Sequence, residues 1–247
     1  MISALWVAAL GAQLACVPPK RQAKAQARVD LGAAYLVEGS TELAIQQLQE
    51  AVKMDRHNYK GWEQLALAYM KRGVFDQAEQ AFKRGLRLVP DSASLNLNYS
   101  YLLLRTDRAD EAIPVLETAL GDLTYRSPAL VLNNLGYALY LEGRHAEAEH
   151  RLHEATVRAP NFCQAWFNLG LSREAQANGR GAVRAYDQVV LLCPTDAAGS
   201  YLKAGTLKLE LDGQAEGCDY IQSAHELAQG TPLGDEAQAA LSERCAF

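Results

Sequence analysis

The chain has little in it that speaks for chemistry. It has no phosphate-binding loop, no Gly-x-Gly-x-x-Gly dinucleotide fingerprint and no Cys-x-x-Cys pair. Those absences exclude the common nucleotide-dependent and thiol-redox enzymes. No basic surplus exists either: 24 Lys and Arg stand against 29 Asp and Glu, a formal charge of −5, which argues against nucleic acid as a partner. Apolar residues make up 49% and charged residues 21%, so a disordered tail is excluded too. Five cysteines in 247 residues are too few to build a disulfide miniprotein. Their odd number leaves at least one with a fate other than an intramolecular bridge.

Charge is also missing from the first nineteen residues, MISALWVAALGAQLACVPP, and then arrives at once with Lys20, Arg21, Lys24 and Arg28. The apolar run Ile2 to Leu14 has signal-peptide length and is short of the roughly 20 residues that a spanning helix needs. It ends in Gln13-Leu14-Ala15-Cys16, small residues just before a cysteine, which resembles a bacterial lipobox. Gln13 stands where that motif normally has Leu, and no Lys or Arg precedes the run. Three readings stay open for this segment. A lipoprotein signal over residues 1–15 is cut before Cys16, which becomes the lipidated first residue of a linker over 16–24. An uncleaved anchor holds Lys20 and Arg21 inside. A buried apolar helix belongs to the fold.

Beyond Lys24 the chain repeats itself. Trp62 and Pro90 are 28 apart, as are Trp166 and Pro194, and alignment on these marks gives blocks starting at Ala25, Tyr59, Ala93, Ala129, Cys163 and Ala197. The spacing is 34 residues except for one of 36, where the turn-rich stretch from Gly121 to Pro128 lengthens. One column reads Gly32, Ala66, Ser100, Gly136, Gly170 and Ala204, small in every block. Another reads Leu48, Phe82, Leu116, Leu152, Tyr186 and Tyr220, bulky in every block. Small residues let two antiparallel helices approach closely, and a bulky one fills the space beside them. Within a block, Trp62, Leu65, Ala66 and Tyr69 have helical spacing, Lys71-Arg72-Gly73 closes the helix, and a second helix runs on to Pro90.

Helix-turn-helix blocks of 34 residues, with Trp62, Leu65-Ala66, Tyr69, Ala78, Phe82 and Pro90 in place, resemble the tetratricopeptide (TPR) repeat family over residues 25–230. The resemblance implies an all-α fold: a right-handed TPR superhelix of six repeats (25–58, 59–92, 93–128, 129–162, 163–196 and 197–230). A C-terminal capping helix is expected over residues 231–247.

Setting Cys16 aside leaves Cys163, Cys193, Cys218 and Cys245. Cys163 opens the first helix of its block and Cys193 ends the second, so an antiparallel hairpin makes them neighbours. A turn near Gly230 would likewise bring Cys218 level with Cys245. Bridges 163–193 and 218–245 are therefore permitted, with ordinary buried thiols as the alternative. The densest titratable cluster, His145 to Glu154, offers His150 and His153 on one helix face. Ala148, Leu152 and Ala155 already define the buried face, so the cluster reads as a solvated surface and no metal site is assigned.

The concave columns of the TPR family fall here on Leu97, Tyr101, Leu104, Asn133, Tyr137, Tyr140, Phe167 and Tyr201. They form an aromatic, apolar strip suited to an apolar or amphipathic partner segment. Asn98, Asn133, Asn134 and Asn168 lie beside it as candidate partners for a peptide backbone. The Lys, Arg and Asn set with which co-chaperone TPRs grip an acidic terminus is not there.

Lipobox-like cysteine, short basic linker, six repeats and capping helix together resemble the pilotin-type TPR lipoproteins of type IV pilus biogenesis, the PilF/PilW/Tgl group. That resemblance implies a non-enzymatic outer-membrane lipoprotein facing the periplasm, with lipid on Cys16 and no other cofactor. Its partners would be type IV pilus secretin subunits, which it would localise and assemble into the multimeric channel in support of twitching motility. No small-molecule substrate is expected. A TPR scaffold lipoprotein of another envelope machine and a membrane-tethered cytoplasmic TPR adaptor are the alternatives.

Overall fold

In the computed structural model the described residues are 17–211 and 214–245. Cys16 and the uncharged segment before it lie outside them. Among the described residues every regular element is helical, and none of the helices is long and apolar enough to cross a membrane. The chain divides into two compact units, residues 1–88 and 89–247.

The first unit holds two hairpins, α1 (Pro19–Val37) with α2 (Thr41–Met54) and α3 (Tyr59–Arg72) with α4 (Phe75–Leu86). Helix α1 begins earlier than the repeat phase implies and takes in most of the stretch read as a linker. Pro19 sits at its first position, where a missing N–H costs nothing, and Ala25 and Val29 bury its face. The second unit holds α5 (Ala93–Arg105) with α6 (Ala109–Leu120), α7 (Pro128–Leu141) with α8 (His145–Arg158), and α9 (Cys163–Ala175) with α10 (Gly179–Leu192). A short 3-10 turn, Pro194–Asp196, leads to α11 (Ala198–Leu211), α12 (Gln214–Leu227) and α13 (Pro232–Arg244). Side chains at the entries set several boundaries. Asn58, Ser92, Asn178 and Thr231 each accept the backbone N–H three residues on, at 3.0–3.5 Å.

Each hairpin closes on the contact that the two repeating columns foreshadow. Gly32, Ala66, Ser100, Gly136, Gly170 and Ala204 are all buried, and Leu48, Phe82, Leu116, Leu152 and Tyr186 have no exposed surface. A Cβ at Gly136 would stand 2.8 Å from Leu152 Cδ2, and one at Gly170 2.6 Å from Tyr186 Cδ1. Where the small residue is Ala66 or Ser100 it is likewise fully buried in its hairpin.

The turn inside each hairpin has its own period. Gly39, Gly73, Asp107, Gly143 and Ala177 all have positive φ, between 56° and 84°. Glycine takes this conformation without strain, whereas alanine and aspartate resist it. The longer connection between α6 and α7 is organised by Asp122. Its carboxylate accepts from Thr124 N and Oγ1 at 3.0 and 2.6 Å and from Ala93 N at 3.4 Å, and these bonds hold its pKa below the usual carboxylate range.

Two disulfides fasten the C-terminal third. Cys163–Cys193 joins the start of α9 to the end of α10, with the Cα atoms 6.4 Å apart. Cys218–Cys245 joins α12 to the residue after α13, at 5.8 Å. Helix α13 covers a cluster of Leu202, Ile221, Ala224 and Ala237, with Leu233 and Leu241 packed against it. Between hairpins, Arg173 Nε and Gln176 Nε2 hold the Glu149 carboxylate at 2.8 and 2.9 Å, fastening α9 to α8.

Three substitutions test this account by thermal and chemical unfolding. Gly170→Ala drives a methyl into the buried Tyr186 ring and is expected to destabilise the protein by about 1–3 kcal/mol. Ala177→Gly relieves the left-handed turn and is expected to stabilise it by roughly 1 kcal/mol, whereas Gly143→Ala should have the opposite effect.

Candidate partner-binding cleft

In the second unit the first helices of three successive hairpins, α5, α7 and α9, line a cleft of about 490 Å³. The hairpin lock decides which residues enter it. A helix turns about 100° per residue, so the residue after each locked small one points away from its partner helix. Ser100 is followed by Tyr101, Gly136 by Tyr137 and Gly170 by Leu171, and all three followers line the cleft. Leu104, Asn133 and Phe167 lie on the same faces, a turn before or after.

Five of the eight residues expected from the sequence therefore meet here: Tyr101, Leu104, Asn133, Tyr137 and Phe167. Tyr101 is 48% exposed, an unusual position for a tyrosine with an apolar neighbourhood. The ring of Phe167 leans on Tyr186 at 5.6 Å, so the floor of the cleft is braced by the α9–α10 core. The other three lie elsewhere. Leu97 is half-buried, and its carbonyl accepts the Ser100 hydroxyl at 2.7 Å. Tyr140 flanks the cleft, its ring 6.3 Å from Tyr137 and 5.4 Å from His145. Tyr201 packs edge-on against Tyr220 at 5.3 Å, on the cluster that α13 covers.

The polar part of the cleft is a relay of side-chain amides. Gln164 donates to Asn168 at 3.0 Å, Asn168 donates to Asn133 at 2.9 Å, and Asn133 donates to Asn134 at 3.1 Å. Asn133 and Asn168 are 5% and 3% exposed, so the bond between them crosses from α9 to α7 out of water. Each amide in the middle spends its groups on its neighbours. The two ends of the relay, Gln164 and Asn134, reach the cleft with unused hydrogen-bonding capacity. Two members of the lining were not foreseen from the sequence, Gln164 and Arg105. Gln164 lies three residues before Phe167 and Arg105 four after Tyr101. Helical spacing extended one turn beyond the chosen columns contains both. Arg105 places its guanidinium 6.0 Å from the Tyr101 ring centroid, bringing a cation to the mouth of an otherwise apolar strip.

Gln164 and Phe167 also line a second cleft of about 390 Å³, with Cys163, Cys193, Asp196, Gly199 and Ser200 around it. The 163–193 disulfide thus borders the site and fixes the helix turn that carries Gln164. Ser200 is 1% exposed, and its Oγ has no hydrogen-bond partner among the described residues. Glu174, one turn on from Leu171 on α9, is taken up by the scaffold. It accepts the Tyr186 hydroxyl at 2.7 Å and Lys203 Nζ at 3.1 Å. Burial first, and then the Glu174 carboxylate, push the Tyr186 pKa far upward, so this phenol stays a donor. His150 and His153 are exposed on α8, and among the described residues no three His, Cys, Asp or Glu side chains are grouped to hold a metal.

Helical hairpins of this period, locked small against bulky, are matched by the tetratricopeptide-repeat family profile over residues 63–128. The chain folds as a tetratricopeptide-repeat protein. Among curated proteins it resembles the type IV pilus assembly protein PilF of Pseudomonas aeruginosa, at 32% identity over 117 residues. That match covers 44% of this chain and 43% of PilF, less than half of either. Among solved structures it resembles PilW, a type IV pilus biogenesis factor, with a TM-score of 0.80 at 22% identity. The PilW match covers 87% of this chain and 98% of that one. The structure of P. aeruginosa PilF gives a TM-score of 0.77 at 22% identity, covering 89% and 99%.

Asn133→Ala removes the acceptor of a buried Asn168 amide and is expected to lower stability by about 1–3 kcal/mol in denaturant unfolding.

Proposed function

We propose that this TPR chain is a type IV pilus biogenesis factor of the pilotin kind. It binds secretin subunits and promotes their localisation and assembly into the outer-membrane channel, and it does no chemistry of its own. The single observation that carries the reading is the α5–α7–α9 cleft, set in a fold that matches PilW and PilF over nearly their whole lengths. Its apolar walls, Tyr101, Leu104, Tyr137 and Phe167, take the apolar side chains of an extended secretin segment. Gln164 and Asn134 at the ends of the amide relay meet its backbone. Tyrosine suits such a contact because it gives large area for few torsions. Lipid on Cys16 holds the protein on the outer membrane with its repeats in the periplasm, and two disulfides are in keeping with an oxidising compartment.

The contact is expected to be of modest affinity, because a subunit assembling into a multimer must leave the cleft. A segment that is apolar on one side and later buried between secretin subunits fits that requirement. The carrier then shields the segment until assembly does so.

Tyr101→Ala combined with Tyr137→Ala removes one exposed and one half-buried ring without touching the hairpin lock. The double variant should melt within a few degrees of the parent. In cells whose own copy of this gene is deleted, it should restore less than about a tenth of the secretin multimer seen on gels, since two aromatic anchors typically contribute 2 kcal/mol or more each. Parent-level multimers would rule out this cleft as the secretin site. Full multimers and piliation in the deletion strain itself would rule out the pilotin reading.

A further inference from the structure

The net charge of −5 conceals a division between the units. From residue 17 to 88, Lys and Arg number 12 against 8 Asp and Glu, a balance of +4; from 89 to 247 they number 12 against 21, a balance of −9. Charge asymmetry between the halves of a chain points to an anionic surface as partner of the basic half.

Within the first unit the positive charge gathers at one end. Antiparallel hairpins bring together the start of α1, the end of α2, the start of α3 and the end of α4. The bond from Arg21 Nη2 to the Lys53 carbonyl, at 3.4 Å, joins the first two. Lys20, Arg21, Arg56, Lys60, Arg84 and Arg87 are all exposed on these segments. The neighbouring carboxylates are already used. Glu50 is paired with Lys53 at 3.0 Å, and Asp55 is turned inward, 8% exposed, to accept the His57 N–H at 2.9 Å.

At the centre, Arg56, Arg84, Arg87 and Leu88 surround Trp62 in a cleft of about 380 Å³. The Trp62 indole N–H donates to the Arg56 carbonyl at 3.0 Å, which fixes both the ring and the α2–α3 turn. None of the three guanidiniums forms an ion pair with a described carboxylate. Arginine at the end of a helix also favours the helix dipole, which accounts for Arg84 and Arg87 individually. It does not account for Arg56 on a separate turn, nor for three unpaired guanidiniums meeting on one indole.

We propose that this end of the first unit docks on an anionic lipid surface, with Arg56, Arg84 and Arg87 on lipid phosphates and Trp62 at headgroup level. Guanidinium forks match phosphate oxygens, and an indole with one wet edge suits the membrane–water boundary. The cations are spread over four helix ends rather than along one groove, which fits a broad planar partner better than a single acidic strand. It is also the end at which the chain enters from its uncharged first nineteen residues. The inference stands apart from the secretin cleft, which lies in the other unit.

The test uses the full chain with Cys16→Ser, so that no acyl chain contributes, sedimented with phosphatidylcholine vesicles that contain or lack phosphatidylglycerol. Binding should be confined largely to the anionic vesicles and should fall with added salt. The triple variant Arg56→Gln, Arg84→Gln, Arg87→Gln should fold normally, because these side chains are exposed and unpaired. Its affinity for anionic vesicles should be lower by about fivefold per arginine, about a hundredfold in all. Equal affinity for both vesicle types overturns the proposal, as does a triple variant that binds like the parent. Arginine-dependent binding to a polyglutamate peptide that exceeds binding to the anionic vesicles overturns it in favour of an acidic protein partner. Tyr101→Ala with Tyr137→Ala should leave vesicle binding unchanged, so loss of the secretin reading and loss of this one are told apart.

Discussion

Everything in this chain depends on how closely two antiparallel helices can approach. In the hairpins of α1, α7 and α9 that distance is set by a glycine facing a bulky side chain, Gly32 on Leu48, Gly136 on Leu152 and Gly170 on Tyr186. Close approach buries the bulky residue completely, and a fully buried side chain of that size contributes about 1.5–3 kcal/mol by transfer alone. The lock also fixes the rotation of each first helix about its own axis. Once Ser100, Gly136 and Gly170 are committed to the hairpin interior, Tyr101, Tyr137 and Leu171 are committed to the cleft. Packing and the lining of the cleft are therefore written in adjacent columns, and a change in the cleft column leaves the lock intact.

The rungs of the cleft are held in register by interactions that cross between hairpins. The Asn168–Asn133 bond joins α9 to α7, and the Glu149 carboxylate receives Arg173 and Gln176 from α9 onto α8. Burial raises the cost of an ionised Glu149, yet its bonds to Arg173 and Gln176 outweigh that, and its pKa lies below the usual carboxylate range. A depressed carboxylate stabilises the fold above its unfolded pKa and loses that contribution as the pH falls through the folded value. The junction between the fourth and fifth repeats thus gains from this cluster at neutral pH and loses that contribution in acid. The 163–193 disulfide adds a covalent limit just beyond it, at the helix end that carries Gln164.

How much of this was legible in the sequence follows from the same geometry. A period of 34 residues exposes every position that each repeat uses in the same way, so the helices, the lock and Tyr101, Tyr137 and Phe167 could be placed from columns alone. Columns fail where a repeat has an unusual neighbour. Tyr201 occupies the same column as Phe167, but its hairpin is the last, and Tyr220 and the cluster beneath α13 take up its ring. Columns also miss residues that act in one repeat only. Gln164 has no counterpart at its position in the adjacent repeats, where Leu130 and Ala198 stand, and Arg105 is matched by a cation, Lys71, only in the preceding repeat, with Leu141 in the following one. The linker was misplaced for a local reason, since Pro19 begins a helix as readily as it marks a break.

Composition averages away what the repeats separate. A net charge of −5 describes neither unit, one at +4 and the other at −9, and their surfaces are suited to different contacts. The acidic unit carries an aromatic cleft with no acidic residue in its lining and one cation, Arg105, at its mouth. Among the described residues of the basic unit the exposed cations Lys20, Arg21, Arg56, Lys60, Arg84 and Arg87 crowd the end at which α1 begins. In a repeat protein each hairpin contacts only its neighbours, so the charge of one hairpin is set with little regard to that of distant ones. Opposite signs in the two units are tolerated for that reason.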